Sequence, residues 1–172
     1  AAGLAKADLL TNMVGEFPEL QGIMGGHYLR LEGADDGLWT AIRDHYVPVG
    51  FEGTTPESMP GKLLGVADRL DTVAGLFAVG ERPSGSKDPF GLRRAAQGAV
   101  KIVAEAGWEV DLNEMIRAAV DAVADFSKGG KETTADSVTA FIADRVRRWL
   151  TDFVKVSGDT ADAVMAADWS NL

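Results

Sequence analysis

Apolar residues along the chain recur at three- and four-residue spacing, and no alternation with period two persists, so the pattern predicts an all-α protein. Leu9, Leu10, Met13 and Val14 mark a first helix that stops near Gly15-Glu16-Phe17-Pro18. Pro18 suits the first turn of a second helix, running to about Leu31, with Leu20, Ile23, Met24 and Tyr28 on its buried face. Leu38, Ile42 and Tyr46 mark a short third helix that must stop before Pro48, because proline lacks an amide hydrogen and disfavours helical geometry in the residue before it.

From about Lys62 to Val79 the apolar residues lie on nearly every side, which predicts a central, largely buried helix. Gly65 and Gly75 within it weaken helix propensity and read as places of close helix approach. After a turn-rich loop at 80–88, Asp88 and Pro89 read as N-cap and first residue of a helix to about Ala106, ended by Gly107. A further helix carries Met115, Ile116, Val120 and Val123. The polar gap Ser127-Lys128-Gly129-Gly130-Lys131 then separates it from a last long helix, in which Val138, Phe141, Ile142, Val146 and Trp149 keep helical spacing. A short helix near 159–167 closes the chain. The gap is the best internal boundary, giving a helical domain over 1–126 and a C-terminal helical extension over 127–172.

Composition narrows the function classes. The formal net charge of −9 argues against a free-standing nucleic-acid binder, so any RNA contact must be a local patch. The absence of cysteine removes disulfides, thiolate metal sites and a cysteine nucleophile, and fits a reducing cytoplasm. No apolar run reaches the roughly 20 residues that span a bilayer, so no membrane partner is expected. The chain opens without Met directly into helix-like sequence, which points to a piece of something longer. There is no phosphate-binding glycine loop and no assignable Ser-His-Asp set.

Three ordered blocks carry a family resemblance: Lys6 to Gly25 (KADLLTNMVGEFPELQGIMG), Ala67 to Thr72 (ADRLDT), and Gly85 to Ala96 (GSKDPFGLRRAA). Together they closely resemble the bacterial glycyl-tRNA synthetase β subunit, strongly over the first two-thirds of the chain and mainly by pattern after Ser127. The resemblance implies an HD-like helical domain with part of the following helical region, lacking the N-terminal portion and the C-terminal anticodon-binding domain. It implies a heterotetramer of two α and two β chains, a class II ligase in which the α subunit carries ATP, Mg, glycine and the adenylate chemistry while the β subunit helps bind tRNA(Gly). No cofactor is expected in this piece, whose partners would be the α subunit, tRNA(Gly) and the remainder of the β subunit.

The candidate residues each have two readings. HD-type phosphohydrolases hold a divalent metal with histidines and aspartates, and Ala67-Asp68-Arg69-Leu70-Asp71 resembles their later aspartate segment, so Asp68 and Asp71, with His27 or His45, are candidate ligands for a metal-bound water. The His-Asp doublet of that class is absent. The alternatives are ordinary hydrogen-bonded histidines and aspartates that anchor the fold. Lys87, Arg93 and Arg94 lie at a helix start, where they either clamp an RNA phosphate or brace the neighbouring acidic groups. Arg147 and Arg148 beside Trp149 form the densest basic cluster, to be read as RNA contacts or as solvated flanks of a core tryptophan. The functions left open are a tRNA-binding and architectural part of the ligase, an HD-type phosphohydrolase, and a helical protein-interaction module.

Overall fold

The computed structural model describes residues 1–171, and it is all-α: among the described residues strand-like pairing is limited to isolated bridges such as Val49 with Glu52. Two 3₁₀ turns, Ala2–Leu4 and Ala7–Leu10, precede helices α1 (Asn12–Glu16), α2 (Ile23–Leu31), α3 (Asp36–Asp44), α4 (Met59–Ala78), α5 (Leu92–Ala106), α6 (Leu112–Ala122), α7 (Lys131–Trp149) and α8 (Gly158–Ala167). No described helix is long and apolar enough to cross a membrane.

The central helix is α4, which touches α3, α5, α6 and α7. Its Val66, Leu70, Val73 and Phe77 are buried with Val100, Ile102 and Val103 of α5, Ile116 and Val120 of α6, and Val138, Ile142 and Val146 of α7. Each such side chain removed from water stabilises the fold by about 1.5–3 kcal/mol relative to leaving it exposed. The polar gap at 127–131 is a largely exposed turn at the edge of this core. The Lys128 amide donates to the Ala78 carbonyl at 2.9 Å, and α7 packs back onto the same cluster as α4–α6, so the expected boundary at 126/127 coincides with a tight connection. The C-terminal tail also returns, with the Leu112 amide donating to the Ser170 carbonyl at 3.0 Å.

The N-terminal third departs from the expected pair of helices. Leu9, Leu10 and Met13 are exposed, and only Val14 of that first stripe is buried. Pro18–Leu20 is a separate 3₁₀ turn, and Gly22 at φ +80° breaks the chain before α2 begins. The buried face of α2 is Gly25 and Gly26, while Ile23 is exposed. A Cβ on Gly26 would stand 2.6 Å from Arg43 Cβ and 2.8 Å from the Trp39 carbonyl oxygen, so α2 and α3 pack backbone to backbone. Asp8 fastens this arrangement: its buried carboxylate accepts from the Gly22 amide at 2.7 Å and the Gly25 amide at 3.1 Å, satisfying donors at the start of α2.

Helix α5 starts three residues later than the Asp-Pro pair suggests. Gly91, at φ +66°, redirects the chain, and Asp88 still caps the helix by accepting from the amides of Leu92 and Arg93 at 2.8 and 2.9 Å. The two glycines of α4 differ in their reasons. Gly65 admits the His45 carbonyl oxygen 3.1 Å from where a Cβ would be, whereas nothing lies within 4 Å of that position on Gly75.

This contrast extends to α5, where a Cβ on Gly98 would meet Arg69 Nε at 2.5 Å and the Pro48 carbonyl oxygen at 3.1 Å. Gly98→Ala should therefore cost about 1–3 kcal/mol in a urea-denaturation measurement, as overpacking does. Gly75→Ala should instead stabilise by about 0.5–1 kcal/mol, the helix-propensity difference alone.

Candidate functional site

The segment leaving α3 presents carbonyls that the helix cannot satisfy, and a residue of α4 collects them. Arg69, only 6% exposed, donates from Nη1 to the carbonyls of His45 (2.7 Å) and Gly65 (2.8 Å), and from Nη2 to those of Tyr46 (2.7 Å) and Pro48 (2.8 Å). Gly65 and Gly98 leave the room this guanidinium needs. Burial pushes the Arg69 group down to about 10, opposed by the neighbouring Asp68 charge, so it remains a cation at neutral pH.

Above Arg69 opens a cleft of about 280 Å³, with Lys6, Tyr46, Asp68, Phe90 and Arg94 in its lining. Lys6 Nζ lies 2.8 Å from Asp68 Oδ1. Burial lowers the Lys6 ammonium, but the hydrogen bond and charge of Asp68 outweigh it and leave it raised. Burial raises the Tyr46 hydroxyl, which accepts a hydrogen bond from Gln21 Nε2. The cleft thus joins the N-terminal turns, the segment after α3, the middle of α4 and the start of α5, all braced by one arginine.

The sequence-predicted residues distribute unevenly around it. Asp68 and Arg94 both line the cleft. His27 is exposed on α2, and Asp71 is exposed on α4 outside the cleft lining. His45 is fully buried, with Nδ1 2.7 Å from the Ile42 carbonyl oxygen, as a neutral ring donating from Nδ1 would be. Among the described residues no group of three or more His, Asp or Glu side chains is placed to hold a metal ion, so His27, His45, Asp68 and Asp71 do not assemble into a ligand set. The cation against Asp68 is the chain's own Lys6.

Arg93 braces its loop through carbonyls rather than carboxylates, donating to the Gly85 oxygen at 2.7 Å and more weakly to that of Lys87. Lys87 itself is exposed. Arg147 pairs with Asp162 at 2.7 Å and Arg148 with Asp144 at 3.3 Å, both on the surface of the C-terminal helices. Trp149 stacks on Phe153, with ring centroids 5.1 Å apart, and packs against the main core. Neither the placing of Lys6, Asp8 and Tyr46 nor the carbonyl-binding role of Arg69 is legible in the sequence pattern. The available signal was an arginine amid the apolar residues of the central helix, four residues after Gly65.

Fold and cleft together define an all-α bundle braced by a buried arginine, with a mixed-charge cleft in place of a clustered set of metal ligands. The family model described as glycyl-tRNA synthetase beta subunit matches residues 1–166. The chain is 45% identical over 168 residues to the glycine–tRNA ligase beta subunit of Anaeromyxobacter dehalogenans (strain 2CP-C), covering 97% of this chain and 24% of that protein. It is 45% identical over 165 residues to the beta subunit of Streptococcus mutans serotype c (96% and 24%), and 44% over 172 residues to that of Leptothrix cholodnii (100% and 23%). The chain belongs to the glycyl-tRNA synthetase β subunit family, and it spans about a quarter of the length of these relatives.

Replacing the hub should be costly: Arg69→Met keeps the stem but strands buried carbonyls, and a loss of about 3 kcal/mol or more is expected in chemical denaturation. His45 supplies a pH signature. Burial lowers its folded-state value below the ordinary 6.5, so beneath that pH the unfolded chain binds the proton more readily. Its contribution is therefore complete above pH 6.5 and lost as the pH falls below it. His45→Gln, which keeps a donor toward Ile42, should flatten the stability slope just below pH 6.5 relative to the unsubstituted protein.

Proposed function

We propose that this chain is an architectural and tRNA-contacting part of the β subunit of a cytoplasmic glycine–tRNA ligase, working with the α subunit and the rest of the β subunit. In this reading ATP and Mg are bound by the α subunit, which performs the adenylate chemistry, and the present helices position partners rather than reacting atoms. The carrying observation is the continuous similarity over residues 1–166 to β subunits of that ligase. The arginine-braced bundle fits a positioning role, because four backbone carbonyls fixed by one guanidinium make a rigid platform.

Arg94 supports the RNA side of the proposal. It is exposed on the first turn of α5, shares the cleft with Lys6 and the exposed ring of Phe90, and makes no ion pair among the described residues. An exposed cation beside an exposed aromatic suits a single-stranded or looped RNA segment, the cation taking a phosphate and the ring a base. Arg147 is engaged by Asp162 and serves as the comparison.

In the reconstituted α and β subunits, Arg94→Ala should weaken tRNA(Gly) binding and reduce the slope of log affinity against log salt by about one. Arg147→Ala should leave both unchanged. Equal slopes for wild type and Arg94→Ala would remove this residue from the RNA interface, and wild-type subunits that fail to charge tRNA(Gly) with glycine would overturn the ligase reading.

A further inference from the structure

The cleft above Arg69 gathers positive charge on an acidic chain. Lys6, Arg69 and Arg94 line it, with Asp68 as the one carboxylate among the described lining residues, whereas the net charge of the whole sequence is −9. Phe90, 53% exposed, contributes an open aromatic ring, and Gly91 at φ +66° turns the chain so that Phe90 and Arg94 line the same cleft. Lys6 Nζ stands 2.8 Å from Asp68 Oδ1, and the two side chains are 48% and 14% exposed. The Thr72 hydroxyl donates to the Asp68 backbone carbonyl at 2.8 Å, so among the described residues Lys6 alone pairs with the carboxylate. The ammonium therefore keeps two of its three donors, and the carboxylate keeps lone pairs for further N–H groups.

We infer that this cleft receives a single unpaired guanine, its Watson–Crick edge read by the Lys6–Asp68 pair. The inference rests on the reading of Phe90 and Arg94 as RNA contacts and adds the identity of the base. Guanine presents two adjacent N–H donors, at N1 and the 2-amino group, which one carboxylate accepts together, and beside them the O6 acceptor, which suits an ammonium. Adenine and cytosine set a ring-nitrogen acceptor beside their amino group, and uracil flanks its one N–H with carbonyls, so each brings an acceptor against Asp68. A half-buried site of this kind rejects a mismatched edge more strongly than an apolar pocket does, because its own polar groups are left unpaired. The volume of about 280 Å³ is small for a ligand pocket and suits one base stacked on Phe90, not a base pair. Arg94 then takes the neighbouring phosphate.

The test uses the reconstituted α and β subunits and the labelled RNAs UUXUU, with X guanosine, inosine, adenosine, cytidine or xanthosine, their affinities read by fluorescence anisotropy. Guanosine should bind at least about tenfold tighter than adenosine or cytidine, with inosine, which lacks the 2-amino group, in between. Asp68→Asn exchanges an acceptor for a donor, so the preference should pass to xanthosine, which carries a carbonyl in place of the 2-amino group. An unfolded variant would instead lose all five RNAs alike. In that event Lys6→Met, at an exposed position, decides: it should lower the guanosine-to-adenosine ratio at least threefold. Equal affinities for all five RNAs in the wild type overturn the inference, as does a guanosine preference that persists in a folded Asp68→Asn protein or an unchanged ratio in Lys6→Met. Displacement of the guanosine RNA by guanosine 5′-monophosphate as readily as by the unlabelled RNA also overturns it, since the ligand would then be a free nucleotide. The salt slope of Arg94→Ala on tRNA(Gly) is read separately, so RNA binding can hold while base selection fails.

Discussion

One buried guanidinium sets the geometry of this protein. The carbonyls of His45, Tyr46 and Pro48 face inward where the chain turns away from α3, and unpaired they would each cost about 1–3 kcal/mol. Arg69 pairs all three from a single side chain and adds the Gly65 carbonyl of its own helix. The consequence reaches both neighbours. Helix α4 needs glycine at 65 and α5 needs glycine at 98, because any side chain there would displace the guanidinium or the carbonyls it holds.

The cleft follows from that constraint. Arg69 fixes the segment after α3 against α4, which brings Tyr46 and Gly50 opposite Asp68 and the start of α5. Lys6 then closes on Asp68, tying the N-terminal turns to the same helix, while Asp8, two residues later, caps α2. A pair of adjacent anchors thus orders a segment whose own leucines remain in water. The ion pair is partly exposed, so it contributes modestly by itself and acts more through where it holds the chain than through its Coulomb energy.

The candidate residues divide along a similar line. Asp68 lies in the ADRLD helix segment that also draws attention to a metal, yet its cation is an ammonium of this chain and its histidine neighbour is turned to a carbonyl. The arginines read as one basic class separate by their partners: Arg93 to loop carbonyls, Arg147 and Arg148 to aspartates, and Arg94 to the cleft. Residue type alone gives all four the same chemistry, and only their acceptors distinguish them.

By itself the sequence determined the all-α class, the central helix over α4, the stop before Pro48, the Asp88 cap, the Gly107 end and the stripe of α7, because each depends on local spacing or on a residue whose backbone preference is strong. It also carried the family, through motif blocks whose order needs no structure. Tertiary structure decided what local pattern could not. The first leucine stripe stays exposed because the short turns that bear it are held by Asp8 and Lys6 instead of by an apolar face. Two glycines form the buried side of α2 because α3 approaches to backbone contact, and the polar gap at 127–131 is an exposed turn that returns α7 to the same core. In each case the deciding partner lies far along the chain, and its distance and direction are set only when the helices pack.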